Sequence, residues 1–439
     1  MVATDATAFT PRRWWTGPFD VERLAWSAVG RARDAAAELA AARGLGLAVD
    51  TTPELVAASF SAIEHLRIDG RTPRPWGEFS GFFAAGDGWV RLHGNYPHHA
   101  EVLRRVFGAQ DRAGLERESA RRDAAEIEEE VTDAGGIAAR VRTRQEWAAH
   151  PQAQAQQSAE WVNVTDRGAR PALPGFGGGG TAPAAAVTDP CGPASSLLAG
   201  VRVLDLTRVI AGPSGTQLLA CLGADVLRID PPHRPELGDQ HLSTGMGKRS
   251  ALLDLRRGSE QLRELAARAD VIVCGYRPGA LAPLGFGVEE LEHFAPRAVI
   301  VTLSAWGETG PWGHRAGFDS IVQAATGIAT DCGMAERPGA LPVQALDHAT
   351  GQLLAAHVMG SLARARATTL RLSLLGAARA LLAMPSPPAE APATLEVPSV
   401  RAAAAGKVLD AVPPPLRVEG ASIERPIGEY GAADLRWQR

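Results

Sequence analysis

Between Gly200 and Ser304 the apolar residues come in short unbroken runs, each closed by a turn. Val201-Arg-Val-Leu-Asp-Leu206, Ala224-Asp-Val-Leu-Arg-Ile229, Ala269-Asp-Val-Ile-Val-Cys274 and Val299-Ile-Val-Thr-Leu-Ser304 are strand-length and β-branched, the pattern of strands buried on both faces of a parallel sheet. Gly247-Lys-Arg-Ser-Ala-Leu-Leu-Asp-Leu255 adds a further strand, and helical stretches separate the runs. Upstream the pattern changes. Val29 to Gly44 is Ala-rich with interspersed charges, which predicts a helix. Thr52-Pro53 predicts a second helix start, with Thr52 as N-cap and Pro53 in the first turn. Phe82 to His93 predicts a hairpin turning at Gly86-Asp-Gly88. Helices over 99–107 and 124–134 follow, then a short strand from Ile137.

At 439 residues the chain is too long for one core. The pattern divides it into a helical segment (1–75), a small α+β domain (76–165), a Gly/Pro/Ala linker (166–196), an α/β large domain (197–384) and an extended tail (385–439). The fold class expected is α/β, an open, mainly parallel, Rossmann-like sheet with a smaller α+β domain.

With 45% hydrophobic residues and net charge −4, nothing points to nucleic acid. No run of about 18 apolar residues predicts a membrane span, and Met1 to Ala6 does not read as a signal peptide. Cys191, Cys221, Cys274 and Cys332 are scattered without metal or disulfide spacing, which fits a reducing cytoplasm. The neighbouring His98 and His99 lack carboxylate or Cys partners, so no metal is expected. The dinucleotide glycine fingerprint is missing after the first strand, which argues against NAD.

The order of these strands, with Gln344-Ala-Leu-Asp347-His-Ala-Thr-Gly351, resembles the class III CoA-transferases, the formyl-CoA and carnitine CoA-transferase group, to which α-methylacyl-CoA racemase is related. Gly275-Tyr-Arg-Pro-Gly279 is similar to that family's Asn-Phe-Arg-Pro-Gly turn, and Gly307-Glu-Thr-Gly-Pro311 to its Gly-Gln-Thr-Gly-Pro loop. The resemblance implies acyl-CoA and carboxylic-acid substrates and Asp347 as the nucleophile in a covalent aspartyl intermediate. It also implies a CoA site along Val209, Ala211, Lys248, Leu253, Arg256, Gly275, Tyr276 and Arg277. Family members form interlocked dimers, which implies a homodimer. Segment 76–165 is similar to the family's small domain but precedes the large one, as a permutation or an eroded duplication would leave it. Where the related racemases have a His, this chain has Phe318, which cannot carry a proton. That favours transfer over racemisation. A CoA-binding partner subunit without catalysis is the third reading. Ile210 stands where oxalate-type members carry Gln, which argues against a small polar diacid.

Overall fold

The computed structural model describes residues 13–175, 192–387 and 389–438. The part of the expected linker from Phe176 onward, with its run of four glycines, and Cys191 lie outside the described residues.

Seven strands form the large sheet: β1 Val162–Ala169, β2 Arg202–Leu206, β3 Asp225–Asp230, β4 Lys248–Leu252, β5 Val271–Cys274, β6 Val299–Ser304 and β7 Arg366–Ser373. Their order across the sheet is β1-β7-β6-β5-β2-β3-β4. All neighbours are parallel except β1, which runs antiparallel to β7. Every residue of β5 is buried, as its continuous apolar run requires. From β2 the chain winds outward to β3 and β4, then returns to the other side of β2 to lay down β5. The carboxyl ends of β2 and β5 therefore part into a crevice, the place where open α/β sheets hold ligands.

Four helices set the geometry around that crevice: α1 Val21–Ala42, α2 Ala211–Cys221, α3 Asp319–Ala325 and α4 Ala345–Ala363. α4 is buried over nearly its whole length. α1 packs along α4 with a face of Ala25, Ala28, Ala32 and Ala36 between larger Leu24, Val29 and Leu39. Thr52 caps the next helix as its sequence predicts, accepting from the Leu55 amide at 3.2 Å.

The hairpin pairs Gly81–Ala85 with Gly88–Leu92, and Ala138–Arg140 adds a third strand. Helices Pro97–Phe107 and Ala124–Asp133 stand near the expected positions. A further helix, Arg112–Ser119, lies outside the sequence expectation. Leu115 is its single large apolar residue, and Asp111 starts it by accepting from the Gly114 amide at 2.7 Å. This small unit is tied to the large domain by the Arg142 amide, which donates to the Ala324 carbonyl at 3.0 Å.

Two sequence boundaries shift. The break expected at 165 falls within β1, whose pairing with β7 makes it the edge of the large sheet. The stretch 385–439 does more than extend over the large domain. Val400–Ala404 and Lys407–Ala411 form a hairpin that pairs with Arg67–Ile68, and Arg417–Val418 pairs with Val49–Asp50. The N-terminal and C-terminal segments thus close on each other through backbone bonds, which side-chain composition does not report.

Candidate active site

The crevice opens into three connected chambers. The first, about 150 Å³, lies over the ends of β2, β5 and β6 and reaches Asp347. The second, about 510 Å³, runs outward past Arg208, Arg234, Arg256 and Arg277. The third, about 170 Å³, lies between the N-terminal segment, the small domain and the start of α4, and also reaches Asp347. Phe318 and Val209 line all three.

Asp347 sits in the first turn of α4, and two features put it there. Gly351, one turn further, brings α4 against the start of α2. A Cβ there would stand 2.2 Å from the Ser214 hydroxyl and 2.4 Å from the Ala211 carbonyl, distances no side chain tolerates. Gly215 on α2 is as tightly placed, 2.5 Å from the Gly351 carbonyl by the same test. The Asp-x-x-x-Gly spacing therefore has a steric reason: the glycine lets two helices meet, and the meeting sets Asp347 beside the loop that follows β2.

The second feature is Asp319. Gln344, the N-cap residue of α4, makes no side-chain cap. Asp319 on α3 replaces it, accepting the Asp347 amide at 3.0 Å and also the Leu346 amide. Gln323, one turn along α3, donates to the same carboxylate. Burial raises Asp319 to about 6, while the Gln323 amide and the two backbone donors pull it back. Burial, and then the neighbouring charge of Asp319, hold Asp347 well above the usual carboxylate range. The proton of this pair belongs on Asp347, because Asp319 has the donors that favour its charged form.

Val209 has φ 58°, the left-handed region that a β-branched residue avoids. Strain of this kind costs on the order of 1–3 kcal/mol and persists only where surroundings hold it. Here Glu236 does so, accepting the Val209 amide at 2.7 Å. The same buried carboxylate takes the Tyr96 hydroxyl at 2.5 Å and the Arg228 guanidinium at 2.8 Å. The loop after β2 is therefore locked to the small domain.

The sequence-derived site divides on this geometry. Val209, Ala211, Gly275, Tyr276, Arg277 and Arg256 line the first or second chamber. Lys248 does not. Its ammonium is buried at 3.2 Å from Asp205 and 2.7 Å from the Pro213 carbonyl, and burial lowers it to about 8. It points inward from β4 and serves the core. Leu253 is also withdrawn: it is buried in the apolar cluster under the sheet, packed beneath Gly258. Cys274 is buried, and that burial pushes its thiol up to about 12.

Other residues emerge from the packing alone. His93 of the small domain stacks on Phe318 with ring centroids 4.0 Å apart. His98 and His99 line the second chamber beside Arg208 and Arg234. No group of three potential metal ligands occurs among the described residues. Asp319 does carry a local signal, an Asp opening an apolar helix with Gln one turn on. Glu236 and His93 carry none, since Val209 and Phe318, on which they act, are 27 or more residues away.

Part of the chain is similar to known proteins. Residues 198–400 match the family model described as CoA-transferase family III. A probable fatty acyl-CoA transferase of Mycobacterium tuberculosis is 35% identical over 181 residues, covering 38% of this chain and 46% of that protein. Mouse succinyl-CoA:glutarate CoA-transferase is 37% identical over 186 residues, covering 38% of this chain and 41% of the relative. The match spans less than half the length of these relatives. A crystal structure of a Mycobacterium tuberculosis protein aligns with 34% identity and a TM-score of 0.40, over 42% of this chain and 55% of the other. Residues 198–400 are thus similar in sequence to CoA-transferase family III.

Proposed function

We propose that the protein moves CoA from an acyl-CoA donor to a carboxylic-acid acceptor through Asp347. The observation that carries this reading is the placement of one carboxylate where an arginine-lined channel meets a chamber with no Lys or Arg in its lining. The channel suits the nucleotide and phosphates of CoA, with Arg234, Arg256 and Arg277 as cations for phosphate. Val209 and Ala211 flank the entry to the Asp347 carboxylate.

Ionised Asp347 attacks the thioester carbonyl, the carbon–sulfur bond breaks, and CoA leaves as thiolate. The thiolate attacks the aspartyl carbonyl of the resulting anhydride and releases the donor acid as its carboxylate. An acceptor carboxylate then attacks the aspartyl thioester, forming a second anhydride and freeing the thiolate again. The thiolate takes the acceptor acyl group, and Asp347 returns as a carboxylate. No net proton is consumed.

Racemisation at the α-carbon is the second reading, and one observation favours it: His93 brings an imidazole against Phe318. Burial holds that imidazole well below its ordinary basicity, which makes it a weak proton acceptor. Labelled CoA incubated with an acyl-CoA and the enzyme tests the choice. Label entering the thioester pool in native protein and not in Asp347→Ala supports transfer. Solvent deuterium at the α-carbon without label exchange would replace it with racemisation. Neither signal would leave a CoA-binding subunit, with dimerisation and CoA affinity still to be measured directly.

A further inference from the structure

We propose that the third chamber seats the acyl group, and that it accepts uncharged, mainly apolar acyl groups while rejecting those with a second carboxylate. The inference rests on the transferase reading and adds the substrate class. It also gives residues 60–93, outside the family match, a role in specificity.

The walls are Phe60, Ile63, Trp76, Phe318, Leu341 and Val343, with Asp347 at the inner end. No Lys or Arg is among the lining residues, and Glu64 stands at the edge. His93 and His348 also face the chamber, and burial keeps both neutral, His93 well below its usual value and His348 at about 4. Arg91 is not among the lining residues: its guanidinium lies over the Trp76 ring at 4.7 Å and the Phe82 ring at 4.8 Å. A carboxylate entering here would leave water and meet no countercharge. A methylene chain would gain from burial against the same walls.

The contrast within one site is the stronger argument. Four arginines line the second chamber, where phosphates are expected, and none lines the third. The other polar groups of the third chamber, Ser61, His93, Asn95, Gln240, Gln344 and His348, are uncharged, and none can balance a carboxylate.

Butyryl-CoA and succinyl-CoA have equal carbon counts and differ by a terminal carboxylate. Exchange of labelled CoA into each needs no acceptor acid. The full-length protein should exchange butyryl-CoA with a kcat/KM on the order of 100-fold higher. Ile63→Arg should move the ratio at least roughly tenfold toward succinyl-CoA, and the milder Glu64→Gln should move it the same way by less. Equal or preferred exchange of succinyl-CoA by the native protein overturns the chamber proposal and leaves transfer standing. A native preference that neither variant shifts places the acyl group elsewhere and also overturns it. No exchange of either thioester removes the transferase reading itself.

Discussion

The main-chain amide of Asp347 donates to the carboxylate of Asp319 at 3.0 Å, so the proposed nucleophile is oriented by a second acid in a neighbouring helix. This bond serves two ends. It closes the open end of α4, whose own N-cap residue contributes no side chain. It also places a negative charge beside Asp347, which raises that carboxyl beyond what burial alone does.

Asp347→Asn should abolish transfer and make the protein more stable in mildly alkaline buffer. The folded state raises the Asp347 pKa above its unfolded value. The associated stability is therefore present at low pH and is lost as pH rises through the folded value. Asn imitates the protonated form at every pH, and each tenfold change in proton affinity corresponds to about 1.4 kcal/mol. Thermal melts at pH 5 and pH 8 check this. A variant that melts below the native protein at pH 8 contradicts the burial argument.

Asp319→Asn should shift the acid limb of the pH–rate profile to lower pH, because it removes the charge that raises Asp347 while keeping one acceptor for the amides. Asp319→Ala removes the cap as well, at a cost of about 1–2 kcal/mol, and should lower kcat. Rate profiles from pH 5 to 9 separate the two effects.

Arg256→Ala should raise the KM for acyl-CoA by about tenfold with a smaller change in kcat, as expected for a contact to the distant phosphates. Lys248→Ala should behave differently. It leaves Asp205 buried and unpaired, so it should cost roughly 3–5 kcal/mol of stability. The molecules that remain folded should keep the native KM. Denaturant titration alongside kinetics distinguishes the two.

Gly351→Ala should destabilise by about 1–3 kcal/mol, because its Cβ collides with the backbone of α2 as well as a side chain. Displacement of Asp347 should cost up to about 100-fold in kcat. Gly360→Ala on the same helix is the control. Its Cβ would meet the end of the Arg364 side chain, which can swing away, so the helix-propensity gain should leave it neutral or slightly stabilising.

Local sequence was enough for the parallel sheet, because a strand buried on both faces must be an unbroken apolar run and β2, β3, β5 and β6 are such runs. Asp347 was singled out by the family resemblance and not by local pattern, although its spacing to Gly351 sets both on one face of the helix. Other features were beyond local sequence. The resemblance set Lys248 in the CoA site, but the strand's alternation turns it toward Asp205 in the core and turns Arg249 toward Asp225. The Asp319 cap, the His93 stack on Phe318 and the Glu236 hold on Val209 join residues 27 to 225 positions apart. Such contacts depend on how helices and strands pack, and no local pattern encodes them. Packing in three dimensions settled which cations face the crevice, which acid caps α4, and that no Lys or Arg lines the third chamber.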